Sequence, residues 1–276
     1  ATPDNWHAPL TIMACQAGKD VYVEKPHSHC MWESGKMVEA AAKYKRVVQV
    51  GTQNRSTAYN HQAREIVQSG RLGKIGLVKV FNLKNGSSFK LGEPGKQPAG
   101  FDWDRWLGRA AARPYHQHLW QGGWHYNWDY CGGDLTDDSI HQLDLALMVM
   151  GDPGLPKSVR ALGGRYVVHK DDDAEVPDVL NVAWDFGSFA MTFDMTQYPK
   201  YMEKSSDVLR KKHLVSDWKQ NATRIEFYGQ EMLMILGRHG GGFVVEKASS
   251  QVVEKVYGQA GDLEHYRNFV ACVKSR

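Results

Sequence analysis

A chain of 276 residues, 42% apolar and 24% charged, is long enough for one large or two ordinary domains with real cores, and its composition excludes wholesale disorder. Its net charge of +3 is too mild to point to nucleic acid or an anionic membrane as the partner. No apolar run approaches the roughly 20 residues needed to span a bilayer.

In chain order, residues 8–17 (APLTIMACQA) suit a short helix, with Pro9 in the first turn and Gly18 after its end. A strand at 21–24 follows. Residues 30–44 carry Met31, Trp32, Met37, Val38, Ala41 and Ala42 at the spacing of an amphipathic helix. The run RVVQVGTQ (46–53) is a second strand ending on polar residues. Helix, strand, helix, strand is the alternation of a parallel sheet wound by right-handed crossovers.

A helix at 57–69 leads into the strand GLVKVFNLKN (76–85), and then the grammar changes. A Gly/Pro-rich loop (86–100) gives way to an aromatic segment (101–130) with Trp103, Trp106, Trp120, Trp124 and Trp128. After a helix at 139–150 come consecutive strands at 158–168, 178–186, 188–197, 223–229, 232–236 and 243–247. DFGSFA (185–190) is a tight hairpin signal. Residues 199–221 read as a surface excursion and 262–273 as a closing helix. The fold class is α/β plus α+β. The αβ alternation covers 1–55 and the strand run falls in 56–276; the family resemblance carried by the motifs below implies that the first is the C-terminal part of a Rossmann-like parallel-sheet domain and the second a domain with a large open antiparallel β-sheet.

Two stretches carry chemistry. The strand at 21–24 delivers Glu24, Lys25 and Pro26 to its carboxyl end, where open α/β sheets bind ligands. A lysine there can hydrogen-bond a substrate hydroxyl and stabilise an alkoxide; taken alone, it is equally a surface lysine after an edge strand. The second stretch is GGDLTDDSIHQLD (132–144). Asp137, His141 and Asp144 share a face if the helix begins by Asp137, and a carboxylate-oriented histidine is a general acid/base. The alternative is an N-cap aspartate and a satisfied core histidine. His27/His29 and His116/His118 are HxH pairs without a clear third ligand, so no metal site is assigned. The tryptophans offer flat faces for a sugar ring or a nicotinamide, or pack as core. Cys15, Cys30, Cys131 and Cys272 form no CxxC pair and read as buried thiols.

Taken together, ATPDNWHA, GKDVYVEKP, VVQVGTQNRS and GGDLTDDSIHQLD resemble, in order and spacing, the Gfo/Idh/MocA family of NAD(P)-dependent sugar and inositol oxidoreductases. The resemblance implies Lys25, His141 and Asp137 as catalytic residues. It implies NAD or NADP as cofactor, lined by Thr2, Pro3, Asp4, His7, Glu24, Lys25 and Gln53, with Trp106, Arg109 and Arg113 as a cofactor-proximal region. Lys25, Trp124, His125, Asp137 and His141 are the candidate substrate contacts. The expected activity is hydride transfer from a carbohydrate or polyol hydroxyl. The rivals are glycoside hydrolysis through transient oxidation, and a non-catalytic sugar-binding or assembly protein.

The family's Gly-rich pyrophosphate turn would lie before Ala1, so the chain reads as an internal piece of a longer protein, and NAD is not separated from NADP. Ser139 stands where the motif commonly has glycine. A homo-oligomer through the open sheet, no nucleic-acid or membrane partner, and a bacterial cytoplasmic or periplasmic location complete the expectation.

Overall fold

The computed structural model describes residues 2–84, 86, 88–167, 172–202, 221–238 and 241–276. A 3-10 turn at Asp4–Trp6 runs into α1 (His7–Gln16), which packs on α2 (Met31–Tyr44). Between them β1 (Val21–Val23) pairs in parallel with β2 (Val48–Val50), Val21 opposite Val48. Ala8, Val23 and Met37 close a small core beneath the pair. Glu33, in the first turn of α2, accepts from the His29 backbone N–H (3.0 Å), and Lys45 ends the helix in the left-handed region (φ 52°).

The large sheet has eight strands: β3 (Ile75–Leu83), β4 (Ser158–Gly164), β5 (Val179–Asp185), β6 (Ala190–Thr196), β7 (Arg224–Gly229), β8 (Leu233–Gly237), β9 (Phe243–Glu246) and β10 (Val252–Val256). Their order is β10-β9-β8-β7-β3-β6-β5-β4. β3 lies parallel to β6 and every other pair is antiparallel. The strand alternation buries Val78, Val80, Phe193, Ile225 and Phe227. These pack with Tyr59, Ala63 and Val67 of α3 (Ala58–Gln68) and Leu145, Met148 and Val149 of a helix at Ile140–Val149. The opposite face carries the row Arg160, Ala183, Thr192, Lys79, Glu226, and the edge strand β4 leaves Val159 and Leu162 exposed.

Between β3 and β4 run α4 (Trp103–Leu107), α5 (Gln117–Trp120), α6 (Asp134–Asp137) and α7, the Ile140–Val149 helix. The aromatic segment forms a satellite core of Trp103, Leu107, Tyr115, Leu119 and Tyr130. The closing helix α8 (Asp262–Ser275) packs on the small sheet and the turn that follows it. Its His265 meets Ser56 Oγ and the Val50 carbonyl, both at 2.8 Å, while Tyr22 of β1 packs on His265, Tyr266 and Phe269.

The DFGSFA hairpin forms as expected, with Gly187 at φ 82° and its N–H donating to Asp185 Oδ1 (2.6 Å). Several strands are shorter than expected, and β10 carries no marked sequence signal: its VVEKV run is largely exposed. Of the expected excursion at 199–221, residues 203–220 lie outside the described residues. The helix expected over 139–150 forms as α7, and the condition under which Asp137 would share it is not met. α6 ends at Asp137 and α7 starts at Ile140. Among the described residues, no helix is long and apolar enough to cross a membrane.

Candidate active site

Three β-branched or aromatic residues hold β1 in the small sheet, and the chain leaves it at Glu24 and Lys25. The Lys25–Pro26 peptide bond is cis. His7 donates from Nδ1 to the Pro26 carbonyl (2.6 Å), and its Nε2 lies 3.2 Å from the Thr2 carbonyl. That ring staples residues 2–4 to the turn after β1. Lys25 then reaches residues 112 positions away: its Nζ donates to Asp137 Oδ1 (2.5 Å) and to the Asp137 carbonyl (2.6 Å).

Asp137 is placed by the break after α6. Gly133 caps that short helix at φ 69°, with a Cβ there only 2.8 Å from Val176 Cβ, so no other residue fits without displacement. Ser139 is fully buried and takes a hydrogen bond from Asn82 Nδ2 (2.7 Å). Its bulk, an expected source of altered geometry, is thus accommodated by a side chain of β3. The same Asn82 nitrogen donates to Asp134 Oδ2 (2.8 Å). Lys84 bridges Asp134 and Asp138, and Arg238 at the end of β8 meets Asp138 Oδ1 at 2.7 Å.

Burial sets the protonation of this cluster. His141 is 6% exposed; burial, then the charges of Arg238 and Lys25, push its imidazole down to about 3. Burial alone would raise Asp137, but Lys25 and His125 outweigh it and hold the carboxyl below its ordinary value. Asp4 is 1% exposed, and burial pushes it up to about 7, with Asp137 adding to the rise. Cys131, whose thiol donates to the Gly133 carbonyl (3.8 Å), is pushed up by burial as well, so its thiol is inert.

Lys25, Asp137 and His141 are therefore brought together, with His125 Nε2 3.7 Å from Asp137 Oδ2 and the Trp124 ring stacked on His125. Glu24 lies over Gly51, within 3.1 Å of where a Cβ would stand, and Gln53 opens the turn after β2. Thr2, Pro3 and Asp4 enter at the same end of the sheet through the His7 staple. Asp4 Oδ2 and Asn5 Oδ1 are buried there without hydrogen-bond partners, so polar atoms remain for a nicotinamide end to satisfy. The residues present fit that half of a dinucleotide.

Trp106, Arg109 and Arg113, expected near the cofactor, also have partners within the protein. Trp106 stacks on Trp103 and its carbonyl accepts from Trp6 Nε1 (3.1 Å). Arg109 pairs with Glu33, and Arg113 with Asp129 at 3.0 Å. Asp144, read as sharing the His141 face, instead binds Arg55 (2.8 Å) across α7. The HxH histidines are structural: His116 and His118 bond to the Gly92 and Lys90 carbonyls, His27 to Ser34, and His29 to the Trp128 carbonyl. Lys84, Asn82, Asp134 and Arg238 were missed. Lys84 alone had a signal, a cation just past the end of a buried strand.

A parallel strand pair with a lysine at its end thus faces a carboxylate–histidine turn packed on a large antiparallel sheet. Residues 1–52 match "Oxidoreductase family, NAD-binding Rossmann fold" and residues 57–172 match "Oxidoreductase family, C-terminal alpha/beta domain". The chain belongs to the Gfo/Idh/MocA oxidoreductase family.

D-glucoside 3-dehydrogenase from Escherichia coli is 29% identical over 160 residues, 58% of this chain and 37% of that protein. An uncharacterized oxidoreductase from Streptococcus pneumoniae is 23% identical over 188 residues, 68% of this chain and 42% of that one. The chain thus spans about two-fifths of the length of these curated relatives. Among solved structures, aldose-aldose oxidoreductase from Caulobacter crescentus, complexed with glycerol, superimposes with a TM-score of 0.67 at 19% identity, over 100% of this chain and 68% of that one. The WlbA dehydrogenase from Bordetella pertussis, in complex with NADH and UDP-GlcNAcA, gives 0.62 at 20% identity, over 100% and 67%. At such identity these likenesses show the fold.

Proposed function

We propose that the protein is an NAD(P)-dependent oxidoreductase that oxidises a carbohydrate or polyol hydroxyl by hydride transfer. The observation that carries this reading is the Lys25–Asp137 pair, which joins the end of a nucleotide-binding strand to the turn that bears His141. The glucoside dehydrogenase from Escherichia coli supports a sugar as the substrate class. The bound dinucleotide supplies the hydride acceptor.

Lys25 hydrogen-bonds the substrate oxygen and stabilises the negative charge that grows on it. Asp137 aims the ammonium and balances its charge. His141, neutral throughout the working pH range, accepts the hydroxyl proton. Its environment gives that proton no resting place, so the histidine hands it on. Trp124 and His125 line the substrate side.

In the full-length protein, Lys25→Ala and His141→Ala should each lower turnover by about 10²–10⁴-fold with the fold intact by circular dichroism. Near-normal turnover in both variants removes the assignment. Reduced nicotinamide must accumulate with the oxidised sugar; a freed aglycone without net reduced nicotinamide would point instead to hydrolysis through transient oxidation.

A further inference from the structure

Oxidising a hydroxyl releases one proton for each hydride, and that proton has to leave a cluster in which burial and charge oppose holding it. His141 cannot keep it. Asp138, the other carboxylate acting on that ring, is bound by Lys84 (2.8 Å) and Arg238 (2.7 Å). Asp137 divides its oxygens: Oδ1 is committed to Lys25, while Oδ2 faces His125 Nε2 at 3.7 Å, a gap that a small movement or one bridging water closes.

His125 is built to receive a proton on that side. Its Nδ1 lies 2.7 Å from the Gly122 carbonyl, which can only accept, so Nδ1 carries the hydrogen and the neutral ring turns its Nε2 lone pair toward Asp137. The ring is held by the 3-10 turn Gly123–Tyr126 and by stacking on Trp124, centroids 3.6 Å apart. Its side chain is 35% exposed, against 24% for Asp137, so exposure rises outward along the chain of groups. Imidazole is also the side chain that exchanges protons with water near neutral pH. The charged groups facing this segment are Asp137 on α6, Lys25 behind it, Glu175 on the loop that binds Asn127 and Trp128, and the Asp129–Arg113 pair.

We propose that His125 is the proton outlet of the reaction, a positioning residue that acts through Asp137. This rests on the oxidoreductase reading above. The substrate C–H bond breaks with its electron pair leaving as hydride to the nicotinamide, and the O–H pair becomes the second bond of the new carbonyl. The freed proton passes from His141 to Asp137, from Oδ2 to His125 Nε2, and then to water, so the side chains return to their starting charge.

The test uses the full-length protein with NAD⁺ or NADP⁺ and its sugar, in dilute buffer, comparing wild type with His125→Ala and His125→Gln. Turnover should fall about tenfold or more with KM changed less than about threefold, and added imidazole should restore it saturably. In the variants the solvent deuterium effect should grow and the effect of deuterating the substrate carbon should shrink, because proton exit becomes the slow step. Wild-type turnover in dilute buffer, or a loss that imidazole does not rescue, overturns the outlet while leaving the hydride reading intact.

A second measurement needs no turnover. Nitrogen-15 NMR of histidine-labelled protein should show the Nδ1–H form of neutral His125, and Asp137→Asn should shift its Nε2 resonance, because that lone pair faces the carboxylate. The Nε2–H form, or no response to Asp137→Asn, overturns the proposal even if no sugar is found that reduces the nicotinamide.

Discussion

Asp4 allows a quantitative test of how burial sets charge at this site. Its carboxyl is 1% exposed and lies within the field of Asp137. Burial raises it from 3.8 to about 7. In the unfolded chain it ionises near 3.8, so between those two values the folded protein binds the extra proton. Stability from this group is fully present below about pH 4, falls as pH rises, and levels off above about pH 7. At 1.36 kcal/mol per pH unit the interval from 3.8 to about 7 gives a ceiling of about 4 kcal/mol.

Asp4→Asn keeps the shape of the neutral acid but never ionises. Urea unfolding over about pH 4 to 8.5 should show the variant near wild type at the acid end and more stable by about 2–4 kcal/mol at the alkaline end, with the m-value unchanged. A difference that does not vary with pH, or a variant weakened above about pH 7, would refute the reasoning.

His141 should show the opposite slope. Its folded value of about 3 lies below the ordinary 6.5, so the unfolded chain protonates first, and stability present above about pH 6.5 is lost as pH falls toward 3. His141→Asn should flatten that acid limb by up to about 5 kcal/mol, read by the same unfolding series. Glu175→Ala removes the charged acceptor of Asn127 Nδ2 (2.7 Å) and the Trp128 N–H (2.9 Å); a loss of about 2–3 kcal/mol in unfolding free energy is expected. Gly133→Ala adds a clash with Val176 to an unfavourable backbone and should lower Tm by several degrees more than Gly154→Ala, where φ is 81° but nothing lies within 4 Å.

The sheet alternation and the αβ rhythm were legible because they rest on local periodicity. Val21–Val23 and the β5–β6 hairpin could be read with no knowledge of their partners. The parallel contact of β3 with β6 could not, because strand order depends on the whole sheet. In the site, Lys25 and His141 stood out through motif and position. Asn82 and Arg238 did not, and Lys84 did so only by its place past a strand end: they act by meeting Asp134, Asp138 and Ser139 across 50 residues or more, and no local pattern encodes that meeting. Arg109 and Arg113 show the converse. Their basic character is visible, but the carboxylates that claim them are distant in sequence.

The break between α6 and α7 shows why the motif needs its glycines and its aspartates together. A continuous helix from Asp137 would stack Asp137, His141 and Asp144 on one stripe, so that all three met the same surroundings. The break frees Asp137 to turn toward Lys25, while His141 starts a helix whose next residues are buried against the large sheet. Asp144, one turn further on, is left to join that helix to Arg55. One motif thereby supplies a partly exposed charge, a buried neutral ring and a structural anchor. The difference in burial between the first two lets a lysine–carboxylate pair stay ionised beside a histidine that stays neutral, with Lys84 and Arg238 balancing Asp134 and Asp138 beneath them.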